Sequence, residues 1–488
     1  MDFFWFTVVL IFFSFLIQKL NQKQKKNLPP SPPSLPILGH LHLINKGPLH
    51  RSFHHLSTKY GPIIYLRFGN RPTLIVSSPS IAEECFTKND IIFANRPPSI
   101  GVDYFSYNRT TMGSAPYGDH WRNIRRVSTI QIFSSTAIGR FSAVRLQEVG
   151  FILKKLVSNE IGKVNLNSLF FELVFNLIMK MVSGKRWVEP YDMFDADIPT
   201  GLSDFIPILR WFDFGGFEKK LQEFKEKGDN FLQDLVDETR RINGGISESA
   251  KFHKTLIESL LSLQEADPQF YTDDIIKGII LILFSAGTGT SALTMEWAMS
   301  LLLNHTEVME KLRKEIEHNV PSDRLIDDSD LSKLPYLRCI INETLRLFPV
   351  APILLPHMSS TNCTVSGYNI SRNTTLMVNV WAIHRDPNIW EEPTKFMPER
   401  FEGFKADQSD GFKFFPFGIG RRACPGYGMG MRIIGLTLAT LIQCFEWERI
   451  GNELVDLEEG SGFTLSKTKP LEALCRPRPA MINLLSQL

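Results

Sequence analysis

The sequence predicts a mainly α-helical protein with small β-sheets, built as a single large domain behind an N-terminal membrane anchor. Three observations support this prediction. A short apolar segment opens the chain, one β-hairpin pattern lies near residue 65, and apolar side chains beyond residue 120 recur with the period of a helix. The length of 488 residues would allow about three domains, but no Gly/Ser linker, acidic tract or repeat divides the sequence.

The apolar segment at the start has the composition of a retained anchor. Residues 3–17 are almost wholly apolar, and lysines follow at positions 19, 23, 25 and 26. A secretory signal would carry its positive charge first and a cleavage site after the apolar run. The segment is short beside the roughly 20 residues that a span takes. We predict a single-pass anchor over residues 1–20 in the endoplasmic reticulum membrane, with the main body cytoplasmic by the positive-inside rule.

Residues 21–40 are predicted to form a basic stop and a proline-rich hinge. Prolines at positions 29, 30, 32, 33 and 36 fix φ and favour a stiff extended segment. An SH3-type ligand or a disordered linker would have a similar composition. The position between the anchor and the body favours a rigid spacer, with the folded domain over residues 41–488.

Within the body, the alternation across residues 61–77 predicts a hairpin with its turn at Gly69–Pro72. Apolar spacing predicts three long helical segments: Phe151–Val182, Phe217–Ile242 and Asp273–Leu303. Thr272 is the expected N-cap of the last helix, and Asn304 its expected end. That helix would be about 45 Å long. Because it is apolar nearly all round before Gly287, we expect it at the centre of the domain.

Charge and cysteine content argue against several classes of protein. The 54 Lys and Arg nearly balance the 52 Asp and Glu, which gives no reason to expect a nucleic-acid partner. The six cysteines include no Cys-x-x-Cys pair. This argues against an iron–sulfur cluster, a zinc site and a disulfide framework.

The ten residues FGIGRRACPG, beginning at Phe417, carry the strongest chemical signal. Each residue type has a task if Cys424 binds a heme iron as thiolate. Gly420 and Gly426 permit backbone angles or close approaches that a side chain would block, and Arg422 can pair with a heme propionate. An apolar helix is predicted to follow at once, and its N-terminal dipole favours a thiolate. The alternative is a cysteine that serves as a small buried hydrophobic residue.

The long predicted helix contains the small-residue run AGTGTS, which begins at Ala286. With Gly287 and Gly289, Ala286 would let a flat macrocycle and dioxygen approach the helix, and glycine lets the helix bulge locally. Thr290 could hydrogen-bond dioxygen and help to deliver protons. A close crossing of two helices also uses small residues, and this alternative stays open.

Glu343 and Arg346 lie one turn apart on a predicted apolar helix that Pro349 ends. With Arg400 they could form a buried Glu–Arg–Arg network that braces the cysteine loop, although a single pair of this kind is usually a surface ion pair.

Trp121 and Arg125 lie four residues apart on one face of another predicted helix. An indole N–H and a guanidinium are suitable donors for a heme propionate.

These motifs occur in the order and spacing of the cytochrome P-450 family, which the chain resembles from about residue 28 to its end. The resemblance implies the cytochrome P-450 fold and a heme-thiolate monooxygenase that uses NADPH and O2, with electrons from NADPH–cytochrome P-450 reductase. Segments at 209–216 and 442–447 are similar to plant A-type enzymes, within the group that contains isoflavone hydroxylases and lignan methylenedioxy-bridge enzymes.

The resemblance also implies roles for single residues. Cys424 would be the axial ligand of heme b. Phe417, Gly426 and His357 would contact the heme or its propionates, with Arg96 as a weaker candidate. A docking patch for the acidic surface of the reductase, or merely a set of solvated charges, would comprise Arg122, Arg126, Lys413 and Arg421.

One position departs from the family pattern. Most members carry an acid immediately before the threonine, where this chain has Gly289. Glu296 lies two turns away, about 10 Å along the helix, and is a poor replacement. We expect ordinary monooxygenation with weakened coupling, in which some reduced oxygen leaves as peroxide.

Two other functions compete with monooxygenation. The missing acid permits a heme-thiolate isomerase or dehydratase that rearranges a peroxide without O2, and a non-enzymatic heme-binding protein is the third possibility. The stretches implied for substrate recognition are rich in Phe, Ile, Leu and Tyr, so a small, mostly apolar substrate is expected. A phenolic such as an isoflavonoid, flavonoid or lignan is the first choice. The stretches are Ile100–Asn108, Leu202–Phe214, Ile280–Ala286, Val350–Leu355 and Ser461–Leu465.

Overall fold

The structure of the protein is a computed structural model that describes residues 27–44, 47–158, 162–187, 202–206, 209, 217–243, 254–404 and 412–488. The anchor predicted over residues 1–20 and the basic stop up to residue 26 lie outside the described residues, as does most of the recognition stretch beyond residue 206.

Helices dominate the described residues, so the prediction of a mainly α-helical domain is confirmed. In chain order they are α1 (Leu49–Tyr60), α2 (Pro79–Phe86), α3 (Ile100–Phe105), α4 (Asp119–Ser128), α5 (Ser135–Arg140), α6 (Ser142–Val157), α7 (Leu166–Ser183), α8 (Phe217–Asn243), α9 (Leu256–Ala266), α10 (Asp273–Asn304), α11 (Thr306–Asn319), α12 (Pro335–Leu347), α13 (Val380–Ile383), α14 (Tyr427–Cys444) and α15 (Ile482–Leu485).

The small β portion forms separate sheets. In the largest sheet the strand order is β1-β2-β7-β4; β1 and β2 are the predicted hairpin, paired from Ile63 with Val76 to Phe68 with Arg71. The second sheet has the order β3-β9-β8, and β5 pairs with β6. The strands are β1 (Ile63–Phe68), β2 (Arg71–Val76), β3 (Lys163–Asn165), β4 (His357–Met358), β5 (Cys363–Val365), β6 (Tyr368–Ile370), β7 (Thr375–Val378), β8 (Phe445–Arg449) and β9 (Glu472–Pro477).

Helix α10 crosses the main hydrophobic core, as its composition predicts. The Thr272 hydroxyl caps it by accepting the N–H of Ile275 at 3.4 Å, and its neighbours include α7, α12 and α14. Trp297 is fully buried and stacks on Phe348 with the ring centroids 3.9 Å apart. Among the described helices, α7 and α10 are long and apolar enough to cross a membrane, but two-thirds of each apolar stretch is buried inside the protein, so they are core helices.

The prediction of one continuous helical segment over Phe151–Val182 is wrong in the middle of that range. Helix α6 ends at Val157, α7 begins at Leu166, and β3 lies between them. Gly162 has φ +68°, which a helix cannot include. The Asn165 side chain then accepts the N–H of Ser168 at 3.0 Å and starts a new helix.

The described part of the hinge lies along β1. The N–H of Tyr65 donates to the Pro30 carbonyl at 2.9 Å, and His40 Nε2 lies 2.9 Å from the Pro32 carbonyl. Gly39 has φ +61°, and a Cβ there would lie 2.1 Å from the Arg67 carbonyl oxygen. The backbone therefore passes too close to β1 for any other residue at this position.

Candidate functional site

The loop before α14 is closed by backbone contacts that fix Cys424. The N–H of Cys424 donates to the Phe417 carbonyl at 2.9 Å, and Gly426 is the N-cap of α14. Gly420 has φ +76°, and a Cβ there would lie 2.5 Å from Asp90 Oδ1. This glycine is required by both its backbone angle and its neighbour, as the sequence predicts.

The φ of Gly426 is one that any residue can adopt, so of its two predicted uses the close approach to a bound group stays a prediction. Its φ is −82°, and an added Cβ would lie 3.8 Å from Cys424 Sγ and 3.7 Å from Phe133 Cε1, which are ordinary contacts. Within the protein itself a methyl group would fit at this position.

The Cys424 side chain is exposed, although protein atoms surround it on several sides. Burial raises the pKa of its thiol, while the N–H groups of Gly426 and Tyr427 and the positive charge of Arg125 act to lower it. Helix α10 packs against α14, the helix that begins just after the cysteine. A thiolate here would have two N–H donors and a nearby cation, which suits it as a metal ligand.

The candidate propionate donors lie together beside this loop. The Arg422 guanidinium lies 4.5 Å from the centre of the Trp121 ring, and its Nε–H donates to the Ala94 carbonyl at 2.7 Å. The Trp121 indole N–H donates to the Met112 carbonyl at 3.0 Å. His357 is buried, with Nδ1 2.8 Å from the Phe93 carbonyl.

These cations repel one another. Burial, followed by repulsion from Arg96, Arg125 and Arg109, lowers the pKa of Arg422 to about 9, and burial lowers the pKa of Arg96 to about 10. Burial also holds the pKa of His357 well below its usual value, so this imidazole is neutral.

The hydrogen bonds of Arg96 and Arg422 go to carbonyl oxygens rather than to carboxylates. The resulting surplus of positive charge fits a ligand with carboxylates, as heme has. Sequence reasoning missed Arg109, which no motif marks; its guanidinium donates to the Arg96 carbonyl at 2.7 Å.

The small-residue run of α10 serves two purposes. Ala286 is exposed, although Phe284 and Thr288 beside it are fully buried, so this face of the helix borders open space. The Thr290 hydroxyl donates to the Ala286 carbonyl at 2.6 Å. Gly287 faces the other way, since a Cβ there would lie 2.9 Å from Ile178 Cδ1 of α7. For Gly287, the helix crossing that the sequence left open is therefore the better explanation.

The Glu296 carboxylate is occupied elsewhere. Asn167 Nδ2 donates to Oε2 at 2.7 Å, and the N–H of Leu471 donates to Oε1 at 2.8 Å. Burial raises the pKa of this carboxyl group despite these donors. Glu296 connects α10 to α7 and to the chain before β9 through these hydrogen bonds. It therefore does not replace the acidic residue that is missing at position 289.

The structure brings Glu343, Arg346 and Arg400 together in the interior. Arg346 donates to both Glu343 oxygens, at 2.7 and 2.8 Å, and Arg400 Nε donates to Oε1 at 3.1 Å. Arg346 also donates to the His384 carbonyl at 2.7 Å, and His384 Nε2 accepts the N–H of Phe415 at 3.2 Å. The ion network therefore connects, through His384, to the chain that enters the cysteine loop.

Two members of the suggested docking patch have acidic partners of their own. Arg122 pairs with Asp119, and Arg421 Nε lies 3.1 Å from Asp90 Oδ2. Arg126 Nη2 donates to the Asn123 side-chain oxygen at 3.3 Å. These pairs favour the interpretation of the patch as solvated surface charges, because part of its positive charge is already compensated.

A polar triad that sequence reasoning missed links three elements near α3. The Tyr107 hydroxyl donates to Asp229 Oδ1 at 2.8 Å, and Lys277 Nζ donates to the same oxygen at 2.6 Å. Tyr107 follows α3, Asp229 lies on α8 and Lys277 on α10. A lone lysine on an apolar helix was the one signal in the sequence.

The fold and the cysteine loop define a heme-thiolate protein, and comparisons with known proteins agree. The chain matches the family described as Cytochrome P450 over residues 29–474. It therefore belongs to the cytochrome P-450 family, whose members bind heme through a cysteine thiolate and act as monooxygenases. Plant members are typically bound to the endoplasmic reticulum, and the family normally uses a reductase and O2.

Several relatives match over nearly the whole chain. Cytochrome P450 81Q32 of Catharanthus roseus is 50% identical over 98% of this chain and 97% of its own length. The (+)-piperitol/(+)-sesamin synthase CYP81Q2 of Sesamum radiatum is 45% identical, and isoflavone 2'-hydroxylase of Glycyrrhiza echinata 44% identical, each with the same coverage. A zebra fish cytochrome P450 solved with progesterone is similar in structure, with a TM-score of 0.74 and 25% identity over 88% of this chain and all of that one.

Proposed function

We propose that the protein is an NADPH- and O2-dependent monooxygenase that hydroxylates, or oxidatively ring-closes, a mostly apolar plant metabolite. The observation that carries the proposal is Cys424, held by a closed loop at the start of α14 with its side chain exposed. The names of the relatives, an isoflavone hydroxylase and a sesamin synthase, favour an isoflavonoid, flavonoid or lignan as the substrate.

In this proposal the cysteine loop and the arginine cluster hold heme b. Cys424 would be the thiolate ligand, and the N–H groups of Gly426 and Tyr427 would stabilise its charge. The propionates would be held by the cluster with a surplus of positive charge, formed by Trp121, Arg125, Arg422 and the buried His357. When bound, the heme supplies the activation of dioxygen.

The groove on α10 then positions substrate and protons. Ala286 leaves room beside the helix, and the Thr290 hydroxyl is held at its edge by the Ala286 carbonyl. The hydroxyl hydrogen of Thr290 is used in that bond. The hydroxyl oxygen can still accept a hydrogen bond from a water molecule. Because residue 289 is glycine and Glu296 is occupied, we expect slow proton supply and partial loss of reduced oxygen as peroxide.

Residues 1–20 anchor the chain in the endoplasmic reticulum membrane, and residues 21–40 space the catalytic domain, 41–488, from it on the cytoplasmic side. NADPH–cytochrome P-450 reductase delivers the electrons to the face that carries Cys424.

The test uses the full chain in microsomes. Phenolics, terpenoids and fatty acids are titrated while the Soret band of the heme is recorded, and the class that gives a high-spin shift is incubated with NADPH, O2 and reductase. The proposal expects a phenolic to shift the band and to be oxygenated. Turnover of a hydroperoxide without NADPH would indicate an isomerase instead. A normal reduced carbon-monoxide spectrum with no NADPH consumption would indicate a heme-binding protein without enzymatic activity.

A further inference from the structure

A second cleft lies apart from the cysteine loop. Its volume is about 580 Å³, within the range of sites for small molecules. Its lining comes from Arg51 of α1, the end of α10, the end of α12 and the segment 394–397, together with Leu457 and Glu459. None of the described residues that the proposed function assigns to heme lines it.

Most of the wall is apolar. Leu301, Phe348, Trp381 and Phe396 are all buried side chains that face this cleft, and Leu457 is half-buried at its edge. A bare inorganic anion would leave this wall uncovered, so the wall suits a ligand with an apolar body.

The polar groups of the cleft carry more positive than negative charge. Glu459 accepts hydrogen bonds from Arg51 Nε at 2.6 Å, from the Trp381 indole at 2.9 Å and from His50 at 2.9 Å, if that ring nitrogen carries the proton. These partners hold the pKa of Glu459 down at about 2 against its burial, so it is ionised. One carboxylate thus faces two guanidinium groups, those of Arg51 and Arg385.

Arg385 is the cation with the poorest compensation. The oxygen of Glu459 nearest to it is 3.9 Å away, and the Nη1 atom of Arg385 is buried with no hydrogen-bond partner among the described residues. The guanidinium lies 4.2 Å from the centre of the Trp381 ring, and 12% of the side chain remains exposed. Burial lowers the pKa of Arg385 to about 9, and the positive charges of Arg346 and Arg51 act in the same direction.

The segment 394–397 of the cleft wall is fixed by hydrogen bonds to buried side chains. The carbonyls of Pro393 and Lys395 accept hydrogen bonds from buried Arg346 at 2.7 and 3.1 Å, and the N–H of Met397 donates to Glu343 at 2.9 Å. A ligand would therefore enter a cleft that is already shaped, with little ordering required.

We propose that this cleft binds a small organic carboxylate, whose anionic head lies at Arg385 and Arg51 and whose apolar body covers Leu301, Phe396 and Leu457. A neutral apolar molecule would leave the guanidinium charge uncompensated. The site is separate from the proposed active site and does not depend on the proposed function.

The test compares 3-phenylpropionate with its uncharged counterpart 3-phenylpropanamide by calorimetry on the heme-loaded full chain, with the Soret band recorded in parallel. We expect saturable binding of the carboxylate, an amide at least about tenfold weaker, and an unchanged Soret band. Arg385→Gln should raise Kd by about tenfold or more. Arg372→Gln, which removes an exposed guanidinium elsewhere, should leave Kd unchanged.

Leu457→Trp fills the edge of the cleft without altering a charge. It therefore tests binding in the cleft even if Arg385→Gln does not fold. It should also raise Kd by about tenfold or more. Four outcomes would each overturn the proposal. The carboxylate does not bind, the amide binds equally well, the cleft variants keep the wild-type Kd, or the Soret band shifts along with the calorimetric titration. None of these outcomes bears on turnover of a substrate.

Discussion

Glu343 and Arg346 form a two-point ion pair in which both side chains are fully buried, with N–O distances of 2.7 and 2.8 Å. Taking two charges out of water is costly, and mutual hydrogen bonds offset that cost only while every member is present. Arg400 shares the carboxylate, and the Met397 N–H supplies a further donor. Through Arg346 and the His384 backbone, the pair reaches the chain that leads to Cys424.

Glu343→Gln should therefore impair heme retention. It leaves Arg346 and Arg400 buried without their carboxylate, which costs about 3–5 kcal/mol. We expect most of the purified variant to lack heme and to give little signal in the reduced carbon-monoxide difference spectrum. Glu402→Gln is the matched control, since this exposed carboxylate pairs with Lys311 on the surface. Wild-type heme content in Glu343→Gln would contradict a bracing role.

His384 should make folding stability sensitive to acid. Burial, with the charges of Arg346 and Arg385, lowers the pKa of His384 to about 3. Its contribution is therefore complete above pH 6.5, where the unfolded imidazole is also neutral. It is lost as pH falls from 6.5 toward 3, by up to about 1.4 kcal/mol per pH unit. His384→Gln keeps an acceptor for the Phe415 N–H but does not titrate. The urea midpoint of the variant should thus fall less between pH 7 and pH 5; equal falls would contradict the assignment.

The parts of the site that lie close together in sequence were predictable. Spacing alone indicated the cysteine loop, the cap of α10 at Thr272 and the pairing of Glu343 with Arg346, because each depends on residues one turn or one loop apart. A motif also identified Arg400 as a partner, although 57 residues separate it from Glu343.

Relationships that arise only in the folded chain were not predictable. The Arg109 guanidinium donates a hydrogen bond to the backbone carbonyl of Arg96. Asp229 accepts hydrogen bonds from Tyr107 and Lys277, which belong to other parts of the chain. At Gly287 the sequence allowed two uses of a small residue, and only the position of Ile178 favours one of them. The break before Leu166 was missed because apolar spacing continues across it, although the chain turns at Gly162.

The packing at Gly287 can be measured with a double-mutant cycle. Ile178→Val removes the methyl group that an alanine at 287 would meet at 2.9 Å. In the wild-type background this change should cost about 0.5–1.5 kcal/mol of stability. In the Gly287→Ala background it should cost less, by roughly 0.5–1 kcal/mol, because it also relieves the contact. Urea unfolding of the four proteins gives the coupling energy between the two positions. Strictly additive effects would contradict the helix-crossing role of Gly287 and favour its role in the groove.

On the proposed function, Gly289→Asp should improve coupling. A carboxylate directly before Thr290 would supply protons that the present chain must draw from water, since Glu296 is held by Asn167 and Leu471. The expected result is a fall of roughly several-fold in peroxide released per NADPH consumed, because positioned proton donors have large effects. Gly289→Asn, of the same size but without a titrating proton, is the control and should keep the high peroxide yield. Equal yields in the wild type and Gly289→Asp would refute weakened coupling.

The triad of Tyr107, Asp229 and Lys277 should govern substrate binding more than chemistry. It fastens the chain after α3 to α8 and α10, and the ring of Tyr107 lies 3.6 Å from where a Cβ on Gly278 would be. Lys277→Met removes a buried cation whose bond to Asp229 is charge-assisted, which costs about 1.5–3 kcal/mol.

The segment should then open more often in Lys277→Met, so we expect the Kd for substrate to rise roughly three- to tenfold, with kcat changed less. Soret titrations and steady-state kinetics measure the two quantities separately. Lys227→Met, which removes an exposed lysine from the same helix as Asp229, should leave both at wild-type values. A fall in kcat at unchanged Kd would instead place the triad in the catalytic step.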